Sequence, residues 1–379
     1  MRIKSSPGIG KFFTFEIAKN QPVHNWFYYK EGFSPGMVEF AIEEEKTKEI
    51  VFDPFCGVGT TLLSSKEKNL QSAGIDISPL AAFVSGVKCD DYTEKDTEAA
   101  KRFLSKVFKK RREPGIQWQF ELFPPKKAFP KSNYNTLLYL REEIEKEEPK
   151  VRNLLLLALL SVFPQSSLVV KDGGVLKINK RKRAIPLKEI FKRKVKRMIS
   201  DLENPIKGPK PEVNLGDARF LPPEDETVDL VVTSPPYLNN IDYSKVYGLE
   251  LSLLSMDKQT TKETRQHAIR SFITGETKLK EVPVEVGDIG HQIPVIGSYF
   301  SDMEQVLKEL YRIMKPNSAC YLVVSNSVIH ETHVIVDEVL GEIGERLGFD
   351  VEILVGAERI ADVKPRKVKT RESAVVFRK

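Results

Sequence analysis

The stretch Asp53-Pro54-Phe55-Cys56-Gly57-Val58-Gly59-Thr60-Thr61 joins a β-favouring run, Glu49 to Asp53, to a helical pattern running from about Thr60 to Asn69. Gly57 and Gly59 let the backbone turn sharply and let a ligand come close. The helix N-terminus behind them presents free N–H groups suited to a carboxylate. By itself a Gly-x-Gly turn can be only a tight connection, so its meaning depends on the residues around it.

Working outward, a second strand, Ser72 to Ile77, places Asp76 near its end, 23 residues after Asp53. A helix follows through Ala81 to Val87. Strand, glycine turn, helix, strand and acid form the first half of a doubly wound α/β sheet. An acid at that strand end can accept both ribose hydroxyls of a nucleoside, although it can also cap the next helix. From about Asp90 to Glu212 the pattern is mainly helical, punctuated by prolines from Pro114 to Pro186. Val213 restarts the alternation, and Gly216-Asp217-Ala218 marks a third strand end. Val228 to Thr233 reads as a buried strand, Tyr299 to Met314 as an amphipathic helix, Ala319 to Ser325 as a strand and Val334 to Leu347 as a helix. Val351 to Val355 and Ser373 to Phe377 read as a closing pair of strands. The expectation is one α/β domain in two segments, 1–90 and 213–379, split by a helical insertion, 91–212.

The chain has 379 residues, 41% of them apolar, enough to bury a large core. Lys and Arg number 59 against 53 Asp and Glu, a net charge of +6 that suits a polyanionic partner without proving one. The three cysteines, Cys56, Cys89 and Cys320, form no CxxC pair and no Cys/His cluster, so neither a disulfide framework nor a metal site is expected. That usage fits a reducing cytoplasm. Met1 to Gly10 does not read as a secretory signal. The longest apolar run, Leu154 to Phe163, is too short to cross a bilayer and reads as a buried helix. The Lys- and Glu-rich composition is of the kind found in thermophiles.

The order DPFCGVGTT, GIDIS, GDAR and TSPPY, beginning at Asp53, Gly74, Gly216 and Thr233, resembles the class I methyltransferases dependent on S-adenosyl-L-methionine (AdoMet). Within them it is similar to the amino-methyltransferases of the N4-cytosine and N6-adenine group. The resemblance covers roughly residues 20 to 90 and 213 to 379, and implies a Rossmann-like doubly wound sheet. It further implies that Asp53, Phe55, Gly57 and Gly59 hold the methionyl part of AdoMet, Asp76 its ribose and Asp217 its adenine, with Thr233 beside them. The segment His24 to Tyr29, with Phe33-Ser34-Pro35, resembles the family's N-terminal cofactor-binding stretch.

In Thr233-Ser234-Pro235-Pro236-Tyr237, two successive prolines lack N–H donors and hold the chain extended after a buried strand. The chemistry explains these residue types. The exocyclic amine of cytosine is a poor nucleophile because its lone pair is delocalised into the ring. The Ser234 hydroxyl and the Pro235 carbonyl can accept its two hydrogens and aim the lone pair at a methyl donor, so positioning supplies most of the catalysis. Pro236 stiffens this loop. Tyr237 can stack on the base, worth roughly 1–3 kcal/mol. Serine at the first position resembles the N4-cytosine members, whereas Asp or Asn is usual in the N6-adenine and protein-glutamine members. No cysteine stands in this loop to attack a ring carbon, and Cys56 reads as a small packed residue. Asn239, Asp242 and Tyr243 can line a base pocket or cap the next helix, with Tyr243 the stronger candidate.

The densest positive charge runs from Lys177 to Arg197, with Lys180, Arg181, Lys182 and Arg183 ahead of a helix bearing Lys188, Lys192, Arg193, Lys194, Lys196 and Arg197. Leu187, Ile190, Phe191, Val195, Met198 and Ile199 form its apolar stripe. Beside a base-modifying loop, Lys180, Arg181, Lys192, Lys196 and Arg197 are expected to contact phosphate. A second cluster is Lys106 to Arg112. Met256 to Gly297 reads as a long polar loop over the target, with Arg265, Arg270 or Lys278 reaching phosphate. The insertion shows no helix-turn-helix or zinc finger, which tips the expected substrate toward cytidine in structured ribosomal RNA. Site-specific DNA methylation is the alternative, and protein-glutamine methylation a more distant one.

Overall fold

The computed structural model describes residues 1–47, 49–109, 113–172, 174–239, 241–272, 281–363 and 366–379. Eight strands form the main sheet: β1 (Arg2–Ser5), β2 (Ile50–Asp53), β3 (Gln71–Asp76), β4 (Glu212–Leu215), β5 (Val228–Thr233), β6 (Met314–Ser325), β7 (Asp350–Val363) and β8 (Arg366–Arg378). Their order is β1-β7-β8-β6-β5-β2-β3-β4. β2, β3, β4, β5 and β6 run parallel. β8 is antiparallel to both of its neighbours. The chain winds outward from β2 through β3 to β4, then returns beside β2 and winds the other way through β5 and β6. That reversal makes the doubly wound sheet, with its switch point between β2 and β5.

Strand alternation sets the two faces. Val51, Leu230, Val232, Tyr321 and Val323 share one core with Met37, Val38 and Ala41 of helix Pro35–Glu45. Phe52, Val231, Leu322 and Val324 share another with helices Pro294–Ile313 and Val336–Leu347. A third core joins helices Thr60–Glu67 and Pro79–Cys89 to the insertion. Insertion helix Pro149–Ser161 is buried from Leu154 through Leu160, as an apolar helix without a polar face must be. It packs on helices Pro79–Cys89, Glu94–Val107 and Leu187–Asp201. The insertion also carries a short hairpin, Val169–Asp172 with Val175–Ile178. No described helix is long and apolar enough to cross a membrane.

Some expectations change. The closing strands run well beyond Val355 and back before Ser373, pairing as far as Val363 with Arg366. β1 adds an edge strand that the polar N-terminus did not suggest, parallel to β7. The expected loop from Met256 to Gly297 contains helix Gln259–His267 and the start of helix Pro294–Ile313. Gly275 and Lys278 lie outside the described residues, as do Asn240 and residues 110–112 of the second basic cluster.

Gly59 is where this packing meets the glycine turn. It sits at φ 79°, and a Cβ there would lie 2.4 Å from Ser85 Oγ on the neighbouring helix. Gly59→Ala is expected to destabilise the fold by roughly 2–4 kcal/mol, from left-handed backbone and overpacking together. Adding Ser85→Gly should return most of the packing part, less its own mid-helix cost of roughly 0.5–1 kcal/mol, and leave the backbone part. The midpoints of urea unfolding measure both, and an unshifted Gly59→Ala midpoint would refute the account.

Candidate active site

A cleft of about 490 Å³ opens at the carboxyl ends of β2 to β6, where ligands bind in doubly wound sheets. Phe55, Gly57, Asp76, Asp217, Ser234, Pro235, Pro236, Tyr237 and Tyr243 all line it. The structure therefore gathers the glycine turn, both later acids and the Pro-Pro loop around one space.

Asp76 faces this space. Its Oδ2 accepts the Gly57 N–H at 2.9 Å and its Oδ1 the Ser78 N–H at 2.8 Å. Burial pushes its carboxyl up to about 6, against the pull of those N–H groups. Each oxygen keeps lone-pair capacity for a hydroxyl. Gly57, at φ 50°, would set a Cβ 3.8 Å from both the Phe55 carbonyl oxygen and the Tyr29 ring, and without that atom its backbone stays accessible to a ligand. This donor and acceptor set fits a nucleoside with an attached charged chain.

Asp53, Gly59 and Thr233, expected to touch the cofactor, do not line the cleft but lie behind it. The Asp53 carboxylate accepts from Thr233 Oγ1 at 2.6 Å and from the Phe55 N–H at 3.0 Å, tying β5 to the turn. Burial raises this carboxyl to about 7. Asp217 does line the cleft, yet both its oxygens bond the Arg219 guanidinium, which also reaches Asp302 at 3.0 Å. Hydrogen bonds from Arg219 hold the Asp217 carboxyl below its ordinary range against burial. An amino group would therefore meet a paired carboxylate rather than the free one expected.

In the loop after β5, the Ser234 hydroxyl donates to the Val323 carbonyl at 3.1 Å. When its proton is directed there, the oxygen keeps acceptor capacity, which the neighbouring Tyr237 hydroxyl shares. Burial raises the Tyr237 hydroxyl, the Glu372 carboxylate adds to this, and a hydrogen bond with Ser234 opposes it. Tyr243 OH accepts from Asn239 Nδ2 at 3.0 Å. Asp242 is a helix cap, accepting the Lys245 N–H at 3.2 Å, and it also binds Arg265 at 2.7 Å. Arg265 pairs with Glu121 as well, so it is an internal brace and not a free phosphate contact.

Sequence reasoning missed a second wall. Tyr29 and Tyr247 stack with centroids 4.7 Å apart, and Tyr247 OH donates to Glu31 at 2.5 Å. Lys171 from the insertion hairpin places its ammonium 3.5 Å from the Tyr247 ring centroid. Tyr29 stood within the quoted N-terminal aromatic run. From that run Phe27 and Tyr29 line the cleft, while Trp26 turns inward to donate to Asp201 at 2.8 Å.

The basic helix buries the expected six-residue stripe. Lys180, Arg181, Lys196 and Arg197 are exposed, and none lines the cleft. Lys192 is a partial exception to the expected outward array, since its ammonium rests 4.9 Å from the Phe108 ring centroid. Lys194 donates to the Asn25 carbonyl at 3.1 Å, and burial lowers its ammonium to about 8.

No family model matches the chain. Among curated proteins it is 26% identical over 415 residues to the Type II methyltransferase M.BsoBI of Geobacillus stearothermophilus, spanning 89% of this chain and 81% of that one. It is also 26% identical over 395 residues to the Type II methyltransferase M.AvaI of Anabaena variabilis, spanning 90% and 82%. A shorter match, 34% over 99 residues and 26% of this chain, is to the Type II methyltransferase M.MjaII of Methanocaldococcus jannaschii. Among solved structures, a SAM-dependent methyltransferase from Methanosarcina mazei aligns over 89% of this chain and 96% of that one at 11% identity and TM-score 0.32. At that score the likeness adds nothing to the topology described above. The sheet order and the cleft at its switch point are those of the class I methyltransferase fold.

Proposed function

We propose that this chain is an AdoMet-dependent DNA methyltransferase acting on the exocyclic amine of a base, most specifically N4 of cytosine. The observation that carries this reading is the convergence of Asp76, the Gly57 turn and Ser234-Pro235-Pro236-Tyr237 on one cleft. AdoMet, when bound, supplies an electrophilic methyl group. Asp76 and the backbone at Gly57 hold its nucleoside and methionyl parts, with Phe55 and Asp217 beside them. Asp53 and Thr233 fix the turn from behind.

The target base must leave its helix to reach this depth, as for other enzymes that act on a base. Tyr237 gives it a stacking surface. The Ser234 oxygen and the Pro235 carbonyl accept the two amine hydrogens, which frees the nitrogen lone pair. Cys56 has no part in this. Burial first, and then Asp76 and Asp53, raise its thiol far above the ordinary range, so it is no thiolate nucleophile.

DNA replaces the expectation of ribosomal RNA because the long matches are to Type II methyltransferases, which are DNA-modifying enzymes. The serine at position 234 favours cytosine over adenine. Lys180, Arg181, Lys196 and Arg197 remain candidates for backbone phosphate outside the cleft. Incubation with AdoMet and unmethylated DNA, followed by digestion and mass spectrometry of nucleosides, should show N4-methylcytosine. A methyl on cytosine C5, or methylation of RNA and not DNA, would overturn the reading.

A further inference from the structure

The β7–β8 hairpin brings two residues into the cleft that no other feature of the reaction requires. Arg359 and Glu372 both line it, and Arg359 Nη2 lies 2.6 Å from Glu372 Oε2. Glu372 is buried, at 6% side-chain exposure, and Arg359 remains 56% exposed. The register slips between Val355 and Ala357, so that Val355 faces Ser373 and Ala357 faces Glu372, with Gly356 left over. A bulge of this kind re-aims side chains beside active sites. This one is seated tightly, since a Cβ on Gly356 would come within 2.4 Å of the ring of Phe13, itself a cleft residue. Glu372 faces Ser325 across β6, and Ser325 also lines the cleft.

Both charges act on the catalytic loop. The Glu372 carboxylate raises the Tyr237 hydroxyl, and Arg359 opposes it. Among the described residues Arg359 shows no side-chain partner other than Glu372. A guanidinium has five N–H donors in a rigid fork, so the carboxylate can anchor one edge while others point into the cleft. Such a fork needs two neighbouring acceptors. Cytosine offers them in N3 and O2, on the same edge as its amine. Adenine offers N1 beside its amine and then only a C–H.

We infer that Arg359, held in place by Glu372, reads the Watson–Crick edge of the extruded base and selects cytosine over adenine by donating to N3 and O2. This rests on the reading of the chain as a base-amine methyltransferase of DNA. In it Arg359 is a specificity-determining residue and Glu372 a positioning residue. Removing a bidentate contact of this class costs on the order of 10- to 100-fold in discrimination. Arg359→Lys keeps the charge but not the fork, so it should recover little of that loss.

The test compares wild type, Arg359→Met, Arg359→Lys and Glu372→Gln on unmethylated DNA of mixed sequence, quantifying N4-methylcytosine and N6-methyladenine. AdoMet affinity, measured by calorimetry, checks that each variant keeps its fold. The expected result is unchanged AdoMet affinity, a 10- to 100-fold slower formation of N4-methylcytosine in Arg359→Met, and a larger share of N6-methyladenine. Glu372→Gln should move the same ratio less far. Unchanged rate and ratio in Arg359→Met would overturn the inference. So would a loss of DNA affinity with an unaltered product ratio and a shallower salt dependence, which would make Arg359 a phosphate contact. Wild type yielding no methylated base would instead overturn the underlying reading, and wild type yielding N6-methyladenine alone would overturn both.

Discussion

Ser234→Ala is expected to slow methyl transfer by roughly 10²–10³-fold with DNA saturating, the usual cost of losing one preorganised polar contact at a reacting centre. The loss should appear in the single-turnover rate, because in the proposed mechanism the serine oxygen acts on the amine as it reacts. AdoMet affinity should hold, since Ser234 bonds neither Asp76 nor the Gly57 turn and follows a different strand, β5. The structure sharpens the reason. Ser234 already spends its proton on the Val323 carbonyl, so a substituting cysteine, with a larger and weaker acceptor, should not restore the rate. Tyr237→Ala should differ in kind. It removes a stacking surface worth roughly 1–3 kcal/mol, so the Michaelis constant for DNA should rise along with the loss of rate. Cys56→Ala should retain most activity. A Cys56→Ala chain that binds AdoMet normally yet transfers nothing would refute the mechanism.

Asp76→Ala should weaken AdoMet binding by at least about 100-fold. Two charge-assisted hydrogen bonds to a ribose contribute roughly 1.5–3 kcal/mol each, and both acceptors vanish together. The Gly57 and Ser78 N–H groups lose their partner as well, which loosens the turn itself. A pH signature accompanies this. The free Asp76 carboxyl is pushed up to about 6 by burial, and its charged form is the better acceptor. Ligand binding favours the charged form, so affinity should fall as pH drops through about 6. In Asp76→Ala the part centred near pH 6 should disappear, leaving only what the buried Asp53 carboxyl, raised to about 7 by burial, contributes through the turn. Calorimetry across pH 5–8 measures both effects, and an affinity unchanged by the substitution would remove Asp76 from the site.

Much of this was legible in the residues themselves. The glycine turn could be placed because left-handed backbone at Gly57 and Gly59 leaves few alternatives, and β5 because Val228 to Thr233 is apolar and bounded by turn residues. The stripe of helix Leu187–Asp201 followed from helical spacing alone. Illegible were the pairings made by distant segments. Nothing local marks Lys171 as lying on Tyr247, or Arg219 as occupying Asp217. Lys192 looked solvated because Phe108 is remote in sequence. Arg359 and Glu372 meet only because a bulge changes the parity of a hairpin, and alternation counted from sequence would not bring them into register. A signal for Glu372 did exist: a lone acid directly ahead of the apolar run Ser373 to Phe377. A carboxylate entering a buried strand needs a reason to be there.

β8 lies inside the sheet, between β6 and β7, although it is the last of the eight strands to be synthesised. During translation β6 and β7 must therefore wait with open edges, unable to pair with each other in the native order, until residues 366–378 have emerged. The same residues bring Glu372 to the cleft. Non-local closure of this kind is slow and leaves strand edges exposed to wrong partners. A ribosome still holding those residues thus carries a chain in which the glycine turn and the Pro-Pro loop have been made but Glu372 has not yet joined the cleft. Completion of the cleft is tied to the last of these eight strands.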